Sequence, residues 1–528
     1  MFVDARSVAA GTVIESDLCI VGAGAAGIAM AREFVRAGLR VSVVESGSLE
    51  FDANTQELYA GQSVGMPLID LTTSRLRFFG GTTNHWGGWC VPLDPIDFEP
   101  REGLPYRGWP IDRTVLDPWY AKAQDTLLLG PFDYEPADWG IGVSEIPEPF
   151  NGPHFVCGMW QCSRQPVLAA AYGSMLKQAT TVTVFLNANG VRLGTDDAGR
   201  VVQELGVATL SGNRFTIRSK VFVLAAGGIE NARLLLASGR PDGYGLGNEH
   251  DLVGRFFMVH IEYDSGTIVL ANPYTDFSFY TNVNLKSAGY FYKPFDLNFV
   301  TFVTVAAASL RALKLPHARI RWTYDYDPSI NTINAIRRLL HVSPGGDLLH
   351  DVGAVLRDLD SAGEFAFRKA MQWPVLPVRS LNVRMSSETL PNPDSRVTLG
   401  DERDALGMRR VVADWRLTSE DKRKALVLHR LLGSEIGRVG FGRLRTAMTN
   451  DETTWPADMY GDEHHMGTTR MHVDPRRGVV DANCRVHGMA NLYIAGSSVF
   501  PTAGLANPTL TIVALALRLA DHIKQQTA

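Results

Sequence analysis

The architecture of this chain is set by the stretch Asp17-Leu-Cys-Ile-Val-Gly-Ala-Gly-Ala-Ala-Gly-Ile-Ala-Met-Ala31. Its apolar residues 18–21 predict a buried strand, and the small residues after Gly27 predict a helix. Between them, Gly22 permits a tight turn, Gly24 lets the backbone approach a pyrophosphate, and Gly27 allows close packing of helix on strand. The free N–H groups at the start of the helix, at Ala25 and Ala26, suit phosphate. This strand–turn–helix order predicts a dinucleotide-binding site.

A second strand, Val41–Val44, ends at Glu45. An acidic residue about 20 residues beyond the first glycine is where such folds accept hydrogen bonds from the adenosine ribose. We therefore expect Glu45 to bind the ribose.

Composition sets the outer limits. The 528 residues are 45% hydrophobic and 20% charged, with a net charge of −5, as in an ordinary soluble protein of two or three domains. No basic cluster predicts nucleic-acid binding, and no apolar run approaches the roughly 20 residues of a membrane span. The N-terminal residues lack the pattern of a secretory signal, and five cysteines argue against a disulfide framework. We expect a cytoplasmic protein.

A second glycine-rich segment occupies Arg77–Cys90 and reads Arg-Phe-Phe-Gly-Gly-Thr-Thr-Asn-His-Trp-Gly-Gly-Trp-Cys. Closely spaced glycines exclude a regular helix and suit a loop that wraps a planar ligand. The predicted ligand-facing residues of this loop are Gly80, Gly81, Thr82, Thr83, Asn84 and His85.

Two further turns of cofactor type follow buried strands. The first leads from Lys220–Leu224 into a helix and contains Ala225, Ala226 and Gly227; the second contains Gly496 and Ser497 after the strand 491–495. Both allow backbone to approach a ligand closely.

Other segments predict helices. Leu116–Ala121 contains Pro118 and predicts a helix that begins at this proline. Residues 332–372 predict helices with interleaved basic and apolar positions; a solvated surface is the favoured interpretation and a membrane-surface helix the alternative.

The pair His464-His465 is the main candidate for catalysis in the C-terminal part. Neighbouring histidines can indicate a metal, but Glu463 and His472 do not complete a familiar ligand spacing, and Cys157 with Cys162 lacks a second pair for zinc. We predict no metal site. From the residues alone, catalytic and structural roles for His464 are equally supported.

Asn507 stands just before Pro508 and Thr509, at the start of the closing helix. On these residues alone, a helix-capping role is favoured for this asparagine.

Taken in order, these motifs resemble the glucose–methanol–choline (GMC) oxidoreductase family over nearly the whole chain. They are Gly22–Gly27, Gly80–Thr83, Ala225–Glu230 and the segment 464–519. The segments His464–Gly467 and Ala506–Thr509 are most similar to the branch of pyranose 2-oxidases and glycoside 3-oxidases, in which an asparagine replaces the second histidine of glucose oxidases.

The resemblance implies an α/β fold (α+β overall) with a discontinuous Rossmann-type FAD-binding domain and a substrate domain built on a mostly antiparallel sheet. We expect the first domain to comprise residues 1–110, 176–260 and 455–528, and the second to comprise 111–175 and 261–454, with the helical insertion near 332–372.

The resemblance also implies the site. FAD would place its pyrophosphate on Gly22–Gly27 and its ribose on Glu45; residues 82–85 would line the isoalloxazine, and Pro508 and Thr509 would present backbone to its pyrimidine edge. His464 would take the hydroxyl proton of a secondary alcohol while the hydride moves to flavin N5, and Asn507 would bind the same oxygen. The expected substrate is a sugar or glycoside, oxidised to the ketone at C3 or C2.

Several alternatives stay open. The substrate could be a bulky non-sugar alcohol such as a sterol or secondary metabolite, and the electron acceptor could be oxygen or a quinone- or dye-type compound. A flavin-binding protein without activity and a nicotinamide-dependent dehydrogenase are the interpretations from other classes. His85 could bond covalently to the flavin, as a histidine does in pyranose 2-oxidases, but the inserted Asn84 favours non-covalent FAD.

Overall fold

The computed structural model describes residues 1–106, 108–139, 146–238, 245–277, 280, 290–292, 297–341 and 348–527. The helices of these ranges are α1 (Ala25–Phe34), α2 (Ala53–Gln56), α3 (Pro95–Phe98), α4 (Arg113–Thr126), α5 (Leu168–Gln178), α6 (Gly227–Ala237), α7 (Ala307–Ala312), α8 (Ile330–His341), α9 (Leu348–Arg357), α10 (Leu359–Ala370), α11 (Ser419–Arg438) and α12 (Thr509–Thr527). Within the described ranges, no helix has the length and apolar character needed to cross a bilayer.

The strands in chain order are β1 (Phe2–Asp4), β2 (Val13–Val21), β3 (Val41–Val44), β4 (Gln62–Gly65), β5 (Trp89–Cys90), β6 (Phe155–Cys162), β7 (Val182–Leu186), β8 (Asn189–Thr195), β9 (Val202–Ala208), β10 (Arg214–Leu224), β11 (His260–Leu270), β12 (Tyr290–Tyr292), β13 (Leu297–Val305), β14 (Ala318–Tyr326), β15 (Val378–Glu388), β16 (Arg396–Arg403), β17 (Arg409–Trp415), β18 (Gly442–Thr446), β19 (Tyr460–Gly461) and β20 (Leu492–Ile494).

The first sheet has the order β1-β7-β3-β2-β10-β9-β8. Its strands from β1 to β10 pair in parallel, and β20 adds to the end of β10 in the same direction. Because parallel sheets are covered on both faces, their strands are apolar throughout, as in the wholly buried β3. The predicted mixed α/β fold is confirmed.

Three helices of the first core surround the glycine-rich opening. α12 packs on both α1 and α4. α12 is rich in alanine and leucine and is buried on most sides. The expected boundary at residue 110 falls inside this core, because Leu116 and Tyr120 of α4 pack into it; the two-domain division therefore stays a prediction.

The start of α4 differs from the sequence prediction. The helix begins at Arg113, after the extended residue Asp112, so that Pro118 lies inside it. The predicted start at Pro118 is wrong, because the chain is already helical from Arg113 and the helix continues through the proline.

The second sheet is antiparallel in the order β18-β11-β15-β14-β13-β6-β5, with β12 and β19 at its side. Side chains alternate between its faces. Ile261, Tyr263 and Trp322 fill an apolar core on one face, whereas His260 and Glu262 of β11 point to the opposite face. That polar face meets the segments 462–465 and 504–507, and it therefore positions the candidate site.

Candidate active site

A single cleft of about 1380 Å³, open mouth included, collects the predicted cofactor turns. It lies where β2, β3, β10 and β20 end, which is the edge at which parallel α/β sheets bind ligands. The predicted residues that line it are Gly22, Gly24, Ala25, Ala26, Glu45, Gly81, Thr82, Thr83, Ala225, Ala226, Gly227, His464, Gly496, Ser497, Pro508 and Thr509.

The three glycines of the opening motif differ in what they accommodate. A Cβ on Gly27 would lie 1.9 Å from the Gly22 carbonyl oxygen, so this position packs helix on turn. Gly22 has φ +107°, and its Cβ would lie 2.6 Å from the Ala225 oxygen. Gly24 has φ −82°, which any residue adopts, and its Cβ would meet nothing within 4 Å. The missing side chain of Gly24 therefore keeps cleft space open for a group that approaches the backbone.

Glu45 is held at the nucleotide end of the cleft by two backbone amides. Its Oε2 accepts from Ala23 N at 2.8 Å and its Oε1 from Gly47 N at 3.0 Å. Burial raises the pKa of Glu45, and these amide donors oppose that rise. Since a carboxylate oxygen can accept more than one hydrogen bond, Glu45 keeps acceptor capacity for ribose hydroxyls.

A buried arginine cluster that sequence reasoning did not select borders the same end of the cleft. Arg75, Arg77 and Arg233 each donate to Glu230, at 3.1, 3.2 and 3.2 Å, and Arg233 also donates to Asp404 at 2.8 Å. Burial alone would raise the pKa of Glu230, but the three guanidinium groups lower it to about 2. The three cations thus face the two anions Glu230 and Asp404, and Arg77 also interacts with the nearby Glu45 carboxyl.

Tyr59 supports this cluster. The guanidinium carbons of Arg75 and Arg77 lie 4.0 and 4.6 Å from the centre of its ring, a cation–π distance. In the sequence, only the position of Arg75 and Arg77 just before Gly80 connects them with the predicted site. Tyr59 and Arg233 lie in distant segments of the chain.

The glycine-rich loop divides its predicted residues into two groups. Gly81, Thr82 and Thr83 line the cleft, but Gly80, Asn84 and His85 do not. Gly80 has φ +99°, and the Asn84 amide donates to the carbonyls of Phe79 and Gly81 at 3.0 Å. Asn84 therefore braces the loop, and the side chain of His85 is exposed.

His464 lines the cleft and is held by partners that its sequence spacing did not reveal. Its Nδ1 lies 2.5 Å from Asp462 Oδ2 and 3.0 Å from Nδ1 of His260 on β11. Burial alone would raise the pKa of Asp462, but His464 and His260 hold it well below its ordinary value. Asp462 is thus a buried anion beside the ring of His464.

This arrangement fixes the proton on one nitrogen. Nε2 of His260 faces the Gly504 carbonyl at 3.0 Å and must carry a proton, because a carbonyl only accepts. When His260 is neutral, its Nδ1 has a lone pair, and the proton shared with Asp462 then belongs to Nδ1 of His464. Nε2 of His464, which has no hydrogen-bond partner among the described residues, becomes the basic nitrogen.

The same three side chains form a group that could hold a metal ion, although the sequence predicted none. Two ligands of a tetrahedral ion at about 2.1 Å lie about 3.4 Å apart. The 2.5 Å between Asp462 and His464 is instead the distance of a charge-assisted hydrogen bond. The geometry favours a shared proton.

His465 has a different environment. It is buried, its ring stacks on Phe257 with 5.8 Å between centroids, and its pKa is lowered to about 3 by burial. Its side chain stays neutral at physiological pH.

Asn507 does not line the cleft itself, although its neighbours Pro508 and Thr509 do. Its Oδ1 accepts from Arg319 Nη1 at 2.9 Å rather than from a first-turn N–H of α12. The helix-capping interpretation of Asn507 does not describe this contact.

Comparisons with known proteins show which family this chain is similar to. Residues 391–516 match the model of the family described as GMC oxidoreductase. Over 97% of this chain and 92% of its own length, 6‴-hydroxyparomomycin C oxidase of Streptomyces lividus is 28% identical. Over 12% of each chain, C-glycoside 3-oxidase of Microbacterium trichothecenolyticum is 45% identical.

Among solved structures, pyridoxine 4-oxidase from Mesorbium loti superposes with a TM-score of 0.55 and 17% identity, covering 96% of this chain and 98% of its own. This similarity concerns the fold.

Proposed function

Because the chain is a GMC oxidoreductase that acts on CH–OH groups, we propose that it oxidises a secondary hydroxyl of a sugar or glycoside, at C3 or C2, to the ketone. The observation that carries the proposal is the position of His464. It lies in the same cleft as the cofactor turns, and Asp462 holds the proton of its Nδ1.

The residues of the cleft fit FAD, the cofactor of this family. The open space at Gly24 admits a pyrophosphate, the guanidinium groups of Arg75, Arg77 and Arg233 line the same cleft, and Glu45 keeps acceptors for the ribose. Thr82 and Thr83 with the backbone of Pro508 and Thr509 would hold the flavin end. When bound, FAD supplies the acceptor for the hydride of the carbinol carbon.

The chain's own residues would handle the proton and the oxygen. Nε2 of His464 takes the hydroxyl proton, and the negative Asp462 stabilises the imidazolium that results. The amide of Asn507, which directly precedes the lining residues Pro508 and Thr509, would donate a hydrogen bond to the same oxygen. Together, His464 and Asn507 stabilise the charge that develops on the substrate oxygen as the C–H bond breaks.

A different hydroxyl is the alternative position of oxidation. The name of the Streptomyces lividus relative, which matches over 97% of this chain, refers to a 6‴-hydroxyl. A 6-hydroxyl of a hexose is a primary alcohol and would give an aldehyde. The C3 position rests on a shorter but more identical match, together with Asn507.

We propose that FAD is bound without a covalent bond. His85 is exposed and lies outside the cleft lining, and the neighbouring Asn84 donates to the loop carbonyls of Phe79 and Gly81. Acid precipitation should release yellow flavin into the supernatant. A yellow pellet with a flavin-sized mass on the peptide containing His85 would contradict this.

The remaining features of the proposal concern setting and electron transfer. All five cysteines are free thiols, which supports the cytoplasm, a reducing compartment. We also keep the proposed division into two domains.

We propose oxygen as the electron acceptor, with a quinone- or dye-type compound as the alternative. Peroxide release without added acceptor would support oxygen, and turnover only with an artificial acceptor would contradict it.

The test is an anaerobic substrate panel on the purified yellow protein. Glycosides, free sugars, aminoglycosides, sterols and aryl alcohols are mixed with it, and the flavin absorbance is followed; the product position is then assigned by NMR. Bleaching by sugars or glycosides with a 3- or 2-keto product supports the proposal. Bleaching only by lipophilic alcohols, a 6-aldehyde product, or no flavin spectrum after added FAD would overturn it.

A further inference from the structure

Asn507 is held from the second sheet by a buried ion pair. Arg319 of β14 donates from Nη1 to Asn507 Oδ1 at 2.9 Å and from Nη2 to Glu262 Oε1 of β11 at 3.2 Å. Both charged side chains are at least 95% buried. The second sheet therefore contacts the side chain of Asn507 through the guanidinium group of Arg319.

Strand register explains how the pair forms. Glu262 and Arg319 both lie opposite Ser386, on the two strands that flank β15. Neighbouring strands are about 4.8 Å apart, so the two residues stand on the same face across one intervening strand. The small side chain of Ser386 leaves room for the arginine to reach over it.

The chemistry of arginine sets the direction of the amide. A guanidinium group only donates hydrogen bonds, so the atom of Asn507 that faces it must be the carbonyl oxygen. The NH₂ group is consequently turned away from Arg319 and is left to donate elsewhere. An isolated asparagine side chain has no such preference.

We propose that Arg319, anchored by Glu262, is a positioning residue that keeps the amide of Asn507 oriented as a hydrogen-bond donor to the substrate oxygen. This inference rests on the proposed function, since it takes Asn507 as the partner of that oxygen. In this proposal, the second sheet determines which end of the Asn507 amide faces the substrate oxygen.

The cost of the arrangement supports this assignment. Arg319 is buried with its Nε unpartnered among the described residues, and its neighbour Arg321 is also cationic and shares Glu262 at 2.8 Å. Buried ion pairs contribute little net stability compared with apolar residues of similar volume. Packing alone therefore does not require an arginine here, whereas a fixed donor beside Asn507 does.

The test combines Arg319→Met, Asn507→Ala and their double variant, with Arg321→Met as the matched control. The Arg321→Met variant also loses a hydrogen bond to Glu262, whereas the hydrogen bond to Asn507 is donated by Arg319 and stays intact. With the alcohol that the wild type oxidises best, Asn507→Ala should lower kcat on the order of 10²-fold, as for the loss of one aligned donor. Arg319→Met should lower it at least tenfold with a smaller change in KM, Arg319→Lys should restore part of the loss, and Arg321→Met should change it less than threefold.

The double variant decides the matter. If Arg319 acts through Asn507, adding Arg319→Met to Asn507→Ala should cost less than a further threefold. Multiplying losses, or an Arg321→Met as impaired as Arg319→Met, would overturn the proposal.

Asn507→Asp tests the orientation and gives a measurement that needs no substrate. A carboxylate can still accept from Arg319 but cannot donate, so its Tm should equal or exceed that of the wild type while kcat falls as far as in Asn507→Ala. In the Arg319→Met background the same carboxylate should lower the Tm below that of the alanine variant. A wild type that oxidises no alcohol would count against the proposed function, whereas an Asn507→Asp variant with full activity, or without this reversal in Tm, would overturn the role of Arg319.

Discussion

Replacing Asp462 with asparagine should reverse the tautomer of His464. Asp462 Oδ1 accepts from the backbone amides of His260 and His464, at 3.0 Å each. In the Asp462→Asn variant the amide oxygen must keep this place, because the NH₂ group cannot accept. The NH₂ group then occupies the place of Oδ2 and donates to Nδ1 of His464, so that Nε2 carries the proton and cannot act as the base.

The expected loss follows from the work of a general base. Such a group contributes about 10²–10⁴ in rate, which is about 3–5 kcal/mol of transition-state stabilisation. We expect kcat/KM of Asp462→Asn to fall within this range while the FAD content stays that of the wild type. The assay is anaerobic stopped-flow reduction of the flavin by the best alcohol, with the FAD content measured from absorbance.

Asp474→Asn is the matched control. It removes a carboxylate near His472, a histidine outside the cleft lining whose Nδ1 accepts from the backbone amide of Asp474, and it should keep the wild-type rate. If Asp462→Asn stayed within about threefold of the wild type with its flavin bound, the tautomer argument would be refuted.

Three further predictions concern the cofactor site and its charges. Gly24→Ala should weaken FAD at least tenfold without lowering the Tm of the apoprotein, whereas Gly437→Ala, at another open position, should leave FAD affinity unchanged; equal affinities in the two variants would contradict the role of Gly24. The pKa of Glu230 is about 2 in the folded protein and 4.5 in the reference state, so its contribution of about 3 kcal/mol is complete above pH 4.5 and is lost as the pH falls toward 2. Urea unfolding should show about 2 kcal/mol of this loss between pH 4.5 and 3 in the wild type but not in Glu230→Gln, which should also be less stable at pH 7; parallel pH profiles would be the contrary result. Dialysis against EDTA should leave activity unchanged, and a loss that zinc or another divalent ion restores would indicate a metal site, either at His260, Asp462 and His464 or at Asp94, Asp97 and His317.

The opening of the chain could be predicted from sequence because its information is local. The strand, the turn at Gly22 and the helix after Gly24 are encoded by spacings of a few residues, and the structure has them where expected. The same holds for β20 and α12 around the C-terminal cofactor turn. In these segments a glycine is required either by the backbone or by the cleft.

The supports of the catalytic residues could not be predicted because they depend on strand register. His260 reaches His464 only through the position of β11 in the second sheet, and Arg319 reaches Asn507 through β14. Asp462 is only two residues from His464, but an acidic residue at that spacing does not by itself predict a contact with the histidine ring. Asn84 shows a second limit of local sequence patterns. A polar residue in a glycine-rich loop can hydrogen-bond to the loop itself, as the Asn84 amide does to Phe79 and Gly81.

The most direct measurement is single-turnover reduction of the flavin in His464→Ala, beside His465→Ala and the wild type. We expect His464→Ala to retain FAD and to reduce it on the order of 10²–10⁴ times more slowly with the preferred sugar or glycoside, whereas the buried His465 should cost much less. Reduction of His464→Ala at the wild-type rate, or the opposite order of the two variants, would contradict the assignment of His464 as the base.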